Sequence, residues 1–469
     1  MIERLLGSLV VGVVAAMLAG SSARVIGASE EPFVLAHDDG YRGIWYANQP
    51  THDQYVYKYS GGMATYPHQH LPIAIYAPAV KKTFFVYGGT VPEKQELLHM
   101  VSYYDHTTGM VPRPRILLNK HTDDAHDNPT LAIDGDGYLW IFSNAHGTSR
   151  PAYVHRSALP HSIDSFVRVR KTNFSYAQPW LLPERGFLVM HTNYRQGRGL
   201  FWMTSATGEN WSEPVSLAHI AQGHYQVTCS DGRRVGTAFD YHPQRGGLNA
   251  RTNLYYLETT DFGQTWLTAE GDVVATPVAQ VHNPALVHDY EAAGLLVYLK
   301  QLLFDAEGRP VITYLTSRGY APGPENGPRM WHVARWTGEG WAINDLFTSD
   351  HNYDFGSLEI GAAGHWRIIA PTEPGAQPYC TGGDMVLWTS DDAGRTWKQE
   401  KQLTRDTKRN HSFARRPLAA QPDFYALWAD GDAHRESGSA LYFTDRKASH
   451  VWRLPERMTE EFARPEVAW

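Results

Sequence analysis

One unit recurs along this chain and limits its fold more than any other feature. A polar residue, often followed by Pro, leads into an apolar strand. A tight turn, a second apolar strand and a polar loop follow. HLPIAIYAPAVKKTFFVYGGT (70–90), DNPTLAIDGDGYLWIFSNAHGT (127–148), QPWLLPERGFLVMHTNY (178–194) and HYQVTCSDGRRVGTAFDYH (224–242) are the first four copies. HNPALVHDYEAAGLLVYLK (282–300), GSLEIGAAGHWRIIAPTE (356–373) and RRPLAAQPDFYALWADG (415–431) are the last three. Helical periodicity is almost absent, and Gly, Pro, Asp and Asn turns separate the strands. The copies start roughly 50 to 70 residues apart, the spacing of propeller blades. A single blade cannot bury both of its faces, so blades stack in a ring. Seven copies predict an all-β, seven-bladed β-propeller filling residues 30–469 as a single domain. FVLAHDDGYRGIWYA, near the N-terminus, is expected to close the ring against the C-terminal strands. A multi-domain β protein built from paired hairpins is the competing architecture.

A second signature agrees with a propeller. TTDFGQTW (259–266) and SDDAGRTW (390–397) share Ser/Thr-x-Asp-x-Gly-x-Thr-Trp. The Asp and Thr close a turn on its own backbone, the Gly takes the turn's positive φ, and the Trp packs between strands. TSATGENW (204–211) is a decayed copy without the Asp. These Asp boxes mark architecture rather than chemistry.

Composition narrows the partners. A net charge of −7 argues against nucleic acid, and it leaves any anionic ligand to local arginines. Glu3 and Arg4 precede LLGSLVVGVVAAMLAG, an apolar run ending at Gly20, and Ser21 and Ala23 follow as a small-residue cleavage signal. Residues 1–23 therefore read as a secretory signal peptide, with a secreted or periplasmic mature protein. An uncleaved anchor is the alternative, although the run is short for a full span. No later segment is long and apolar enough to cross a bilayer. Cys229 and Cys380 either pair or remain as two buried thiols.

The hairpins suggest where chemistry gathers. In the second copy the turn centres on Asp136, and His126 and His146 lie ten residues to either side of it. Residues equidistant from an antiparallel turn end up opposite each other, so the two histidines should share the open end of the hairpin. By the same logic His70, Gln178, Tyr194, Tyr225, His282, Glu373, Arg415 and Arg416 sit at hairpin mouths and converge on one face near the channel. Histidine, tyrosine, arginine and carboxylate together make an acid/base and anion-binding set. Most loop histidines are merely satisfied polar groups, and Tyr225 is as easily a packing residue. Arg415 and Arg416 either face solvent or pair with Glu373. What distinguishes His126 and His146 is their mirrored placement. Cys380 with His282 or His242 lacks the tight spacing of a zinc site, so no metal ligands are assigned.

At these residues the chain resembles the BNR-4 repeat family. The resemblance rests on GYRGIWYANQ, YKYSGGMATYPHQHLPIAIYAP, KTFFVYGGT, LLHMVSYYDH, TDDAHDNP, IFSNAHGTSRP, ARTNLYYLETTDFGQTW, RIIAPTEP and FYALWADG, spread over nearly the whole mature chain. It implies a seven-bladed propeller and an activity among ulvan lyases and other enzymes that cleave rhamnosyl-glucuronate linkages, hydrolases included. In the lyases a histidine pair, a tyrosine and an arginine line the channel face. HDNP and HGTSRP put the pair on His126 and His146, and GHYQVT puts the tyrosine on Tyr225. For the arginine, Arg251 in ARTNLYY is favoured over Arg234 and Arg245. In the rhamnosidase branch activity depends on a histidine of the opposite face, which would be His70 or His68. Some members carry a structural zinc, and a structural zinc or calcium is compatible with this sequence although no ligand set is complete.

The implied chemistry is β-elimination. The C5 hydrogen of a 4-linked uronate is a poor acid while the carboxylate is charged, so that charge must be neutralised first. A base then takes the proton, and an acid protonates O4 as it leaves. His126 is expected as base or acid with Tyr225 as its counterpart, and His146 with Arg251 on the carboxylate. Asn128 is expected to assist there, with Tyr194 and Arg415 also binding an anionic polysaccharide or oligosaccharide. A glycoside hydrolase would need paired carboxylates, and none has a clear case at the hairpin mouths. A sialidase would need an arginine triad. A non-catalytic glycan-binding propeller remains the other alternative.

Overall fold

The computed structural model describes residues 31–63, 69–194, 197–405 and 407–469. The expected signal peptide and His68 lie outside the described residues. Within them the regular structure is β, and the only helices are 3-10 turns such as Ala125–Asp127 and Gly247–Ala250. Among the described residues no helix is long and apolar enough to cross a membrane.

The second sequence copy shows how a blade is specified. Pro129–Ile133 and Leu139–Ser143 pair antiparallel, with Pro129 opposite Ser143. The Asp134 carboxylate accepts the backbone N–H groups of Asp136 (3.1 Å) and Tyr138 (2.9 Å), while Gly137 takes a φ of +86°. That Asx turn fixes the hairpin register. Ala152–Ser157 and Ser165–Thr172 continue the meander outward, and Phe33–Val34 adds a further edge. Five more sheets open on Ser175–Leu182, Gln226–Ser230, Leu296–Phe304, Ser357–Ile360 and Asn410–Arg415. Neighbouring blades touch through their first strands, which gathers these strands around a central channel.

The expectation of seven equivalent blades needs correction. Six sheets of four to six strands form regular blades, and an eight-stranded composite sheet departs from that pattern. Its meander runs Ala74–Ala77, Lys82–Val91, Lys94–Asp105 and Arg115–Asn119. Gly43–Pro50 and Tyr57–Gly62 join it, and Gly43 lies opposite both Gly89 and Ser439. The N-terminal segment thus closes against the C-terminal strands, as expected from sequence. Tyr57–Gly62 also packs on Asn410–Arg415 and Ala426–Gly431.

Two of the sequence copies take a different strand frame in the structure. Residues 282–300 are not a hairpin: Leu286–His288 pairs with Thr252–Thr259, and Leu296–Phe304 starts the next blade against Pro310–Ser317. The true turn is at Asp305, whose carboxylate accepts from the backbone of Glu307 (3.0 Å) and Arg309 (2.9 Å). In the last copy the first strand is Asn410–Arg415, so Arg415 and Pro417 mark the turn end and not the mouth.

The predicted Asp turns form as bonding patterns. Asp261 accepts from Thr265 N (2.9 Å) and Thr265 Oγ1 (2.6 Å), and Asp392 accepts from Thr396 in the same way. Cys229 and Cys380 are both buried, free thiols.

Candidate active site

The site grows from the stretch TDDAHDNP. Asp124 caps the 3-10 turn Ala125–Asp127, accepting from His126 N at 3.1 Å. The turn lifts His126 to the mouth of Pro129–Ile133. His146 follows the partner strand, and the register that pairs Pro129 with Ser143 brings it opposite His126. The two imidazoles stack with centroids 4.0 Å apart and planes 13° apart. Each donates Nδ1–H to a different oxygen of Asp124, His126 through a short bond to Oδ1 and His146 to Oδ2 at 2.7 Å. A carboxylate acceptor at Nδ1 selects that tautomer and leaves the lone pair on Nε2.

Arg150 anchors this carboxylate, donating to Asp124 Oδ2 (3.0 Å) and to both oxygens of Asp127 (2.9 and 3.0 Å). Lys120 lies 3.3 Å from Asp127. Burial works against the Asp124 charge, yet His126 and then His146 hold its carboxyl well below the usual carboxylate range. Burial pushes His126 down, with Asp124 opposing, so its imidazole is neutral at pH 7. Asp124, His126 and His146 are the one group among the described residues close enough to share a metal ion. Both Nδ1 atoms already bond Asp124, which Arg150 also engages. This donor set is an ion-paired network rather than a metal cage.

Tyr194 stands beside the histidines, its ring 5.6 Å from that of His146. Its hydroxyl is 3.0 Å from Tyr176 Oη and accepts from Arg198 Nε at 3.3 Å. Burial pushes the Tyr194 phenol up to about 12, so it carries its proton at neutral pH. Tyr176 has a φ of +54°, rare for an aromatic residue, at a bulge between Ser175 and Gln178. That strained backbone turns its ring toward His70 (5.6 Å), His126 (6.0 Å) and Tyr225 (6.0 Å). Arg198 also donates to His242 Nδ1 at 3.1 Å, which requires a neutral His242. Burial, with Arg198 and Arg251 adding, holds His242 well below the ordinary histidine range.

The other expected residues divide. Tyr225 is in the cluster, its ring between the guanidinium groups of Arg198 (5.4 Å) and Arg251 (4.9 Å). Arg251 is held in a tyrosine cage, donating to Tyr353 Oη at 2.9 Å and lying 4.5 Å from the Tyr298 ring. The arginine bonded to Tyr194 is Arg198, a residue not among those expected from sequence. His70 belongs to this face, with Nε2 donating to the His126 carbonyl at 2.9 Å.

Five of the expected residues lie elsewhere. Asn128 is buried and donates back to Ala125 O (2.8 Å), and a Cβ at Gly88 would stand 2.1 Å from its Oδ1. Its amide closes the turn instead of facing the channel. Arg415 is buried at the far end of its strand, donating to Lys300 O at 3.4 Å. Arg416 lies near Glu359 (3.7 Å) and not Glu373, because the strand frame is shifted. His282 is exposed on a loop, 3.1 Å from Asp289. Gln178 is within its strand and latches the next blade through Thr228 (2.7 Å).

Residues 99–348 match the BNR repeat-containing family. The "Ulvan Lyase-PL25" of Pseudoalteromonas sp. (strain PLSV) is 23% identical over 332 residues, 62% of this chain and 65% of that protein. An ulvan lyase of Alteromonas sp. (strain LOR) is 23% identical over 351 residues, 66% of this chain and 70% of that protein. The match thus spans slightly less than two thirds of the Pseudoalteromonas protein's length. A solved polysaccharide lyase PL25 ulvan lyase superposes with a TM-score of 0.68 at 18% identity, covering 87% of this chain and 96% of that one. The same enzyme bound to -[GlcA(1-4)Rha3S]- superposes equally, covering 88% and 96%. These superpositions show the fold.

Proposed function

The chain belongs to the BNR repeat-containing family, and on that premise we propose that it is a polysaccharide lyase cleaving an ulvan-like, uronate-containing glycan by β-elimination. The observation that carries this reading is a carboxylate-oriented histidine pair beside a protonated tyrosine and an arginine, in a chain whose relatives are ulvan lyases. The eight-stranded sheet counts, on this reading, as the seventh blade of one propeller that begins near residue 30. The N-terminal run directs export, so the enzyme meets its polymer outside the cytoplasm.

Each group has one task. Arg198 neutralises the uronate carboxylate, so that charge building at C5 is tolerated. His126 Nε2 takes the C5 proton. The C5–H electron pair becomes the C4=C5 double bond as the C4–O4 bond breaks. Tyr194 gives its proton to O4, and solvent returns the His126 proton to the phenolate. Asp124 positions both imidazoles. Tyr225 and Tyr176 wall the site, and the aromatic cage holds Arg251 on the substrate's path. Paired carboxylates fit poorly, because Asp124 and Asp127 are both committed to Arg150.

The test is ultraviolet absorbance during incubation with ulvan. A rise from unsaturated uronate that disappears in His126→Ala supports the lyase. New reducing sugar without that rise would replace it with a hydrolase.

A further inference from the structure

The turn end of the last blade carries a groove that the reaction leaves unused. Ala426 pairs with Thr444 and Thr444 with Val451, so the hairpin tip at Pro422 and the loop 445–450 share that end. His126 and His146 stand at the mouth end of their own hairpin, on the opposite face. Tyr104, near the end of Lys94–Asp105, closes the groove from the composite sheet, and the hollow measures about 570 Å³. That is room for a small-molecule ligand. Its wall is aromatic. Trp452 stacks on Phe443 with centroids 5.3 Å apart and planes 15° apart, and Phe443 meets Tyr104 at 5.4 Å. Trp452 is only partly buried, so the stack ends at solvent. Its rim is charged. Lys447 and Arg464 are exposed there, and neither pairs with a carboxylate among the described residues. The two acids of the groove are committed. Asp445 accepts the backbone N–H groups of Lys447 (2.7 Å), Ser449 (3.0 Å) and His450 (3.2 Å), and Asp423 Oδ1 bonds His106 Nδ1 at 2.7 Å.

We infer that this groove is a second, non-catalytic site for an anionic glycan chain, holding a stretch of polymer away from the histidine pair. The inference rests on the lyase reading above for the class of ligand, and the groove takes no part in the reaction. A pyranose ring presents a face of C–H bonds, which packs on an indole while its hydroxyls point outward. Acid groups along the chain then meet Lys447 and Arg464 at the rim. The protein's net charge of −7 does not attract such a chain, so local cations must hold it. A short oligosaccharide occupies one site or the other, whereas a long chain reaches both. The first contact of a long chain then raises its effective concentration at the second site.

Affinity electrophoresis of the full chain carrying His126→Ala, in gels with and without ulvan, reads binding without cleavage. Ulvan should retard this parent. Adding Trp452→Ala, or Lys447→Glu together with Arg464→Glu, should weaken the apparent Kd by about tenfold. Lys171→Glu together with Arg185→Glu, at exposed positions on other blades, should not. With His126 intact, the groove variants should raise KM for the polymer by about tenfold and leave kcat, and KM for a tetrasaccharide, unchanged. Thermal melts show which variants fold, and the charge reversals, confined to exposed side chains, carry the test if Trp452→Ala does not. The site is overturned if ulvan does not retard the parent, or retards the groove variants equally. A loss matched by the Lys171 and Arg185 pair overturns it in favour of diffuse charge attraction. A raised KM for the tetrasaccharide overturns it in favour of an effect on the catalytic site. The lyase reading fails separately, by an absence of unsaturated product from the unsubstituted protein, and the retardation still reads the groove.

Discussion

His126 and His146 stack face to face at 4.0 Å, and each hands its Nδ1 proton to a different oxygen of Asp124. One carboxylate therefore sets the tautomer and the direction of two imidazoles. Asp124→Asn should lower kcat about 10- to 100-fold with little change in KM, the usual scale for a lost histidine-orienting carboxylate. The pH profile separates this from a folding defect. The base must be neutral, so kcat/KM rises with pH through the His126 pKa. Asp124 holds that pKa up against burial. Removing its charge should move the acid limb to lower pH. An unmoved limb would mean that Asp124 is only a turn cap.

Two tyrosines compete for the role of acid. Tyr194 touches Arg198 and faces His146, whereas Tyr225 lies between Arg198 and Arg251. Tyr194→Phe should cost about 100-fold or more in kcat, within the range of general-acid catalysis. Tyr225→Phe should cost roughly tenfold or less, since it loses only wall contacts. The reverse order in steady-state assays would return the acid to Tyr225.

Arginines near and far from the site should behave differently. Arg198→Ala removes the group facing the carboxylate and should cost about 3 kcal/mol of transition-state stabilisation, on the scale of a lost oxyanion donor. Arg198→Lys should recover only part of it, because the guanidinium fork is gone. Arg415→Met should leave kcat and KM near their original values and act on stability alone. Equal kinetic losses in the two positions would undo the assignment.

Stability should fall on mild acidification. Burial holds His155, His224 and His411 down at about 3 and His191 at about 4. Geometry agrees: His224 Nε2 accepts from Ile220 N while Nδ1 donates to Asp240 O, and His411 Nδ1 accepts from Trp428 Nε1. Unfolded histidines take up protons from about pH 6.5 downward, and each unit of difference is worth at most about 1.4 kcal/mol per group. The unfolded state therefore gains protons first, and stability is lost between about pH 6.5 and 4. Asp240 and Asp350, pushed up to about 6 by burial, work the other way below that pH, as do the raised Asp354 and Asp430, but His99, His242 and His351 are held down as well and the histidines prevail. Urea denaturation at pH 7.5, 6 and 5 measures the trend. A flat series would show that these imidazoles are not held neutral.

Much of this protein was settled within short stretches of sequence. Turn chemistry at Asp134 and Gly137 fixes one hairpin, and that hairpin alone brings His126 to His146, because antiparallel register is counted from the turn. Where the turn was misplaced, at Asp305 and at Arg415, the strand frame moved with it and carried the wrong residues to the mouth. Asn128 illustrates another limit. The residue follows a 3-10 turn, and its side chain closes that turn rather than reaching outward, a choice made by packing on Gly88. The tertiary structure decided everything that joins separate blades. Tyr194 with Arg198 and Tyr225 with Arg251 are equally plausible as sequence, and only the bulge at Tyr176 and the blade-to-blade packing rank them. The same holds for the groove in which Tyr104 of the composite sheet meets Phe443 of the last blade. Local hydrogen bonds are encoded where they occur, whereas a channel lined by different blades exists only once the ring has closed.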